Sequence, residues 1–247
     1  MMIYTQKKIK YCSIIKCKFT NAINMKIRIL IICIALIAFP RISYPMDGVW
    51  NGIFDINGHG RYDFTGLINN KKSTAYTEQA KVVYNGIIKN ENNNFIWDLN
   101  MFIKDGSFFG TAKITGKLIN GNILSGKWIT EPAKDWGNIY LIKLDDNVVL
   151  DAGTVINKNW VTKNSNIKSS LLIKKNKIVG KDDADCNYYG DIKILNKKIY
   201  DVSIEIASCG ASDGIYNGMA YIQREKNIEK LVINATNRNF SLFLKLY

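Results

Sequence analysis

From about residue 47 to the C-terminus the chain alternates apolar and polar positions, and no stretch of roughly 12 residues repeats its apolar positions every three and four residues. That pattern predicts strands and no long amphipathic helix. The clearest case is Tyr200, Val202, Ile204 and Ile206, interleaved with Asp201, Ser203 and Glu205. Turn signals punctuate the alternation. Asn120-Gly121 lies between two alternating runs, Thr115–Ile119 and Asn122–Trp128. It suits a two-residue type I′ turn, in which both central residues need positive φ. Lys104-Asp105-Gly106-Ser107, Asn90 to Asn94, Lys197-Lys198 and Asp213-Gly214 are further turn candidates. Short strands with such spacing predict antiparallel meanders.

Candidate strands number about eight between Val49 and Leu144, and about seven or eight between Trp160 and Leu246. We therefore expect an all-β chain: two tandem small antiparallel meander barrels, or barrel-like sandwiches, behind an N-terminal signal segment. The boundaries read as a leader at 1–46, a first β domain at 47–145, a connector at 146–158 and a second β domain at 159–247. Both halves carry an aromatic residue followed two positions later by glycine: Trp50 with Gly52, Tyr84 with Gly86, and Tyr216 with Gly218; Tyr189-Gly190 is a close variant. Such pairs can line a pocket or fill a curved core, and core packing is the expectation.

The leader has its own pattern. Lys26 and Arg28 precede an apolar run of 11 residues, Ile29 to Phe39, followed by Pro40 and Arg41. A membrane-spanning helix needs about 20 apolar residues, so the run fits the hydrophobic stretch of a secretory signal peptide instead. A start at Met25 gives a leader of ordinary length, about 20 residues. No A-x-A cleavage pattern occurs, and Cys33 lacks the small residue a lipoprotein box places before it. An uncleaved, membrane-associated helix is the competing reading, which leaves room for peripheral membrane association.

Charge changes meaning once it is divided this way. The 247 residues hold 34 basic and 21 acidic side chains, a net +13. Residues 1–46 hold eight of the basic ones and no acid; 26 against 21 leaves +5 for the rest. So diffuse a charge argues against a nucleic-acid surface. Export also suits the cysteines. Cys12, Cys17 and Cys33 lie in the leader, leaving Cys186 and Cys209 to form one disulfide.

Chemical signatures are scarce. His59 is the single histidine and sits in a turn, Asn57-Gly58-His59-Gly60, a poor place for a positioned base. Asp182, Asp183 and Asp185 form a weak Ca²⁺ candidate, though their spacing is not that of an EF-hand. Asp63 with Asp98 could form a carboxylate pair for glycoside hydrolysis. Neither a phosphate-binding loop nor a dinucleotide glycine pattern occurs. No catalytic residue and no cofactor is expected.

Several segments together resemble a family of exported proteobacterial proteins known largely as hypothetical lipoproteins. They are Asp47-Gly48-Val49-Trp50-Asn51-Gly52, Tyr84-Asn85-Gly86, Gly126-Lys127-Trp128, Asp185-Cys186-Asn187-Tyr188-Tyr189-Gly190, and Gly214 to Ala220. The resemblance covers residues 47–247 and implies an envelope protein of two barrel-like halves, with no activity attached. This chain departs from it in lacking a lipid-attachment box. The expected function is a non-catalytic binding or structural protein of the periplasm or outer surface of a Gram-negative bacterium. Its partner would be a small ligand or an envelope protein. An inhibitor of an exported protease or lysozyme is the alternative, and a carboxylate-dependent hydrolase a more distant one.

Overall fold

The computed structural model describes residues 46–103, 105–153, 156–163 and 167–247. The leader apart from Met46, the start at Met25 and Cys12, Cys17 and Cys33 lie outside the described residues. Those described belong to one compact unit, Tyr44–Tyr247.

Sixteen antiparallel strands form two barrels, with no α-helix among the described residues. The first barrel comprises β1 (Gly48–Ile56), β2 (His59–Asn69), β3 (Lys72–Thr77), β4 (Val82–Glu91), β5 (Asn94–Phe102), β6 (Phe108–Ile119), β7 (Ile123–Glu131) and β8 (Trp136–Lys143). Each strand pairs with the next, and β1 closes on β8 with Gly52 opposite Leu141. The second comprises β9 (Asn159–Val161), β10 (Ser169–Lys174), β11 (Lys177–Asp182), β12 (Asn187–Ile194), β13 (Tyr200–Ala207), β14 (Gly214–Glu225), β15 (Ile228–Thr236) and β16 (Ser241–Leu246). Its first and last strands meet only in a short seam. There Val161 and Tyr247 exchange backbone hydrogen bonds of 3.2 and 2.8 Å, beside a Thr162–Leu246 bridge. The barrel reading of the sequence therefore holds, as a meander of eight strands in each half.

The turns follow from local chemistry. Asn120 and Gly121 take φ of 50° and 74°, as the type I′ geometry demands. Asn92-Asn93, Lys175-Asn176 and Lys226-Asn227 do the same without glycine, using the tolerance of asparagine for the left-handed region.

Side chains fill both interiors. Trp50, Phe64, Tyr84, Phe95 and Trp97 are buried in the first, with Phe64 and Trp97 in edge-to-face contact at 5.7 Å. A cavity of about 20 Å³ remains beneath Phe54, Tyr84 and Trp128, room for about one water molecule. Trp160, Tyr188, Tyr200 and Tyr216 fill the second interior. The barrels open alike. The indole of Trp50 donates to the Met46 carbonyl at 2.8 Å, and that of Trp160 to the Ile156 carbonyl at 3.0 Å, each four residues upstream.

The barrels pack wall to wall. Val49, Leu67, Tyr76, Val83 and Phe102 of the first meet Ile199, Met219, Tyr221 and Val232 of the second. Here the polar-out alternation breaks: Ser73 to Thr77 and Leu231 to Thr236 are buried at successive positions. Polar contacts set the register of the junction. The Tyr76 and Tyr221 hydroxyls are 2.9 Å apart, and the Asn234 amide donates to the Ala75 carbonyl at 2.7 Å.

Candidate binding groove

A groove of about 660 Å³ lies between the barrels, within the ordinary range for ligand sites. Its origin is the shortness of β9. Just beyond Val161 the ladder with β10 ends: Thr162 donates its N–H to the Ser169 carbonyl at 2.9 Å, and its hydroxyl accepts the Ser169 N–H at 2.8 Å. Strand β16 runs on past this point. At its far end the Ser241 N–H donates to the Gly106 carbonyl of the first barrel at 2.8 Å, and Phe108 N–H to the Asn239 carbonyl at 2.9 Å. The groove is the space left between the β9–β10 pair and the first barrel.

Its wall joins inner and outer faces of the second barrel. Tyr188, Ser169 and Asp182 reach it from the interior, Phe243 and Lys245 from outside, and Tyr76 and Val83 from the first barrel. Asp182 is buried and well supplied with donors: Ala184 N–H at 2.9 Å, Cys186 N–H at 3.0 Å and the Tyr188 hydroxyl at 2.7 Å. Burial raises the Tyr188 phenol well above its usual range, and the bond to Asp182 raises it further. Tyr188 is thus a neutral donor at physiological pH. Thr77 is also buried on this wall, and its hydroxyl has no partner among the described residues. At the rim, Lys245 and Glu78 form an ion pair at 2.7 Å and Lys163 sits over the Tyr247 ring at 4.9 Å. Lys81 is exposed beside them. Beyond the Glu78–Lys245 pair lies a second hollow of about 330 Å³, lined by Asp63, Tyr221 and Glu225. The chemistry on offer is recognition: fixed donors, aromatic faces and ammonium groups.

The residues singled out from the sequence fall mostly elsewhere. Cys186 and Cys209 are bonded, Cα to Cα 4.9 Å, and pin the β11–β12 turn to the end of β13. Asp182 lies within 4.8 Å of both sulfurs, but sulfurs joined to each other offer no thiolate to a metal. Of the three clustered aspartates, Asp182 points inward to Tyr188, Asp183 accepts the Lys168 N–H at 3.1 Å, and Asp185 is exposed in the turn with φ of 62°. Asp63 accepts the backbone N–H groups of Glu78 and Gln79 at 2.7 and 2.8 Å, while Asp98 pairs with Lys113 at 3.6 Å on the outer wall. They line different hollows. His59 is exposed beside the β1–β2 turn.

Trp50, Tyr84 and Tyr216 are core residues. Gly52, Gly86 and Gly218 sit where the neighbouring strand's carbonyl passes too close for a side chain. In the fourth variant the inward aromatic is Tyr188, not Tyr189, which is 48% exposed; Tyr188 keeps the two-residue spacing to Gly190. No groove-lining residue except Asp182 was a candidate from sequence. The available signal marked the junction beside the groove: the unbroken apolar character of Leu231-Val232-Ile233 and Met219-Ala220-Tyr221-Ile222, as in strands covered on both faces.

No protein-family model matches the chain, and no curated protein matches it. Among solved structures, Aeromonas veronii immune modulator A aligns over 83% of this chain and 95% of its own, with 11% identity and a TM-score of 0.39. A likeness that slight carries no argument about function.

Proposed function

We propose that this is an exported, non-catalytic binding protein of the Gram-negative envelope, in the periplasm or on the outer surface, with its ligand held in the groove between the barrels. The observation that supports it most is where the space lies. The first barrel leaves a cavity of about 20 Å³ and the groove about 660 Å³, so a ligand fits between the barrels and not inside the first. The disulfide suits an oxidising compartment. The resemblance to exported two-barrel proteins points the same way.

The test is native mass spectrometry of the protein purified from the envelope of its own host, with thiols alkylated before denaturation. The expected result is an oxidised Cys186–Cys209 pair and a non-covalent mass that is lost in a Lys81→Glu/Lys163→Glu variant. Alkylated cysteines would overturn export. A bare wild-type protein, or a ligand kept equally by the variant, would overturn the groove.

A further inference from the structure

We propose that the wall of the first barrel formed by β6, β7, β8 and the Ile53 end of β1 lies against an anionic lipid surface. An antiparallel barrel wall in water is expected to turn polar side chains outward. This one does not. Ile119 stands opposite Ile123, and Ile123 opposite Ile142. Two positions along β8, Tyr140 stands opposite Ile53. Ile119, Ile142, Tyr140 and Ile53 are each between 41% and 47% exposed, and the register makes them one contiguous patch. Farther along the same wall Ile129 stands opposite Trp136, the most exposed tryptophan at 53%. The first barrel thus carries a second group of outward apolar side chains, which the second barrel does not cover.

Charge selects the occupant. Lys117 and Lys127 point outward from β6 and β7 within this patch. Neither has a carboxylate partner among the described residues, and the outward acids of this wall, Glu131 beside Lys134 and Asp55 bonded to Asn138, both lie at the Trp136 end, away from Ile119 and Ile142. Apolar and aromatic side chains flanked by ammonium groups match the boundary between acyl chains and anionic headgroups. A second copy fits poorly. A two-fold contact would set Lys117 and Lys127 against the same lysines.

The full chain should bind vesicles of phosphatidylcholine containing phosphatidylglycerol more tightly than vesicles of phosphatidylcholine alone. Reversal of both charges in Lys117→Glu/Lys127→Glu should weaken that binding by at least about tenfold. A Tyr140→Trp substitution reads the wall itself, whatever the remainder of the chain does. Lipids brominated on their acyl chains should quench the added emission, and they should do so less in the charge-reversed background. Circular dichroism confirms that the variants keep their strands. Three results would each overturn the proposal. One is no binding or no dependence on phosphatidylglycerol; another is an unquenched probe at position 140. The third is a change of oligomeric state in the Lys117→Glu/Lys127→Glu variant with vesicle binding intact, which would identify a protein contact instead.

Discussion

Glycine beside an aromatic residue recurs in this chain for a steric reason that can be tested one residue at a time. A Cβ at Gly86 would lie 1.9 Å from the Asp98 carbonyl oxygen, and one at Gly52 would lie 2.0 Å from that of Tyr140. Those obstacles are backbone and cannot rotate away. Gly86→Ala should therefore destabilise the protein by about 2–3 kcal/mol, read as a lowered urea midpoint with an unchanged slope. Gly58, whose Cβ would meet nothing within 4 Å, has φ of 79°, so Gly58→Ala costs only the strain of a left-handed alanine, about 1 kcal/mol. The spacing of these motifs was legible in the sequence because side-chain direction alternates with period two. Which of Tyr188 and Tyr189 faces inward was not, since two adjacent aromatics satisfy the pattern equally.

At the level of elements, the short strands around the groove depend on non-local ties. The disulfide spans a sequence separation of 23. Closing a loop of that size removes enough unfolded-state entropy to stabilise the fold by about 3 kcal/mol. Cys186→Ser/Cys209→Ser should lower stability by roughly that amount, and dithiothreitol should reproduce the loss in the wild type and leave the variant unchanged. The pairing was legible because two cysteines remain once the leader is set aside. The role of Asp182 was not. From sequence it was one of three clustered carboxylates; in the fold its strand turns it inward onto Tyr188, while Asp183 and Asp185 stay outside.

For the molecule as a whole, the junction between barrels supplies a pH dependence with a definite sign. Burial raises the Tyr76 hydroxyl to about 12 and pushes Tyr221 well above its ordinary value. An unfolded tyrosine ionises near 10. The unfolded chain therefore loses these protons first, and stability is full below about pH 10 and falls as pH rises towards 12. Alkaline titration of the urea midpoint should show that decline, and Tyr76→Phe/Tyr221→Phe should reduce it, with Tyr84 and Tyr188, likewise raised by burial, supplying the remainder. A decline unchanged in the double variant would place the alkaline lability elsewhere.

Local rules were enough to specify strands rather than helices, eight or so in each half, the asparagine-rich turns and the disulfide partners. Alternation, turn dihedral angles and cysteine count act over a few residues or need no geometry at all. The tertiary structure alone decided how the barrels use their outer walls. Val49, Leu67, Tyr76, Met219 and Val232 are outward residues of isolated strands that become core when the walls meet. Ile119, Ile123, Tyr140 and Ile142 are outward residues of the same chemical kind that stay uncovered. The groove, too, exists only because β9 ends after three residues while β16 continues to the first barrel. Such outcomes depend on contacts between segments more than a hundred residues apart, for which the period of a single strand carries no signal.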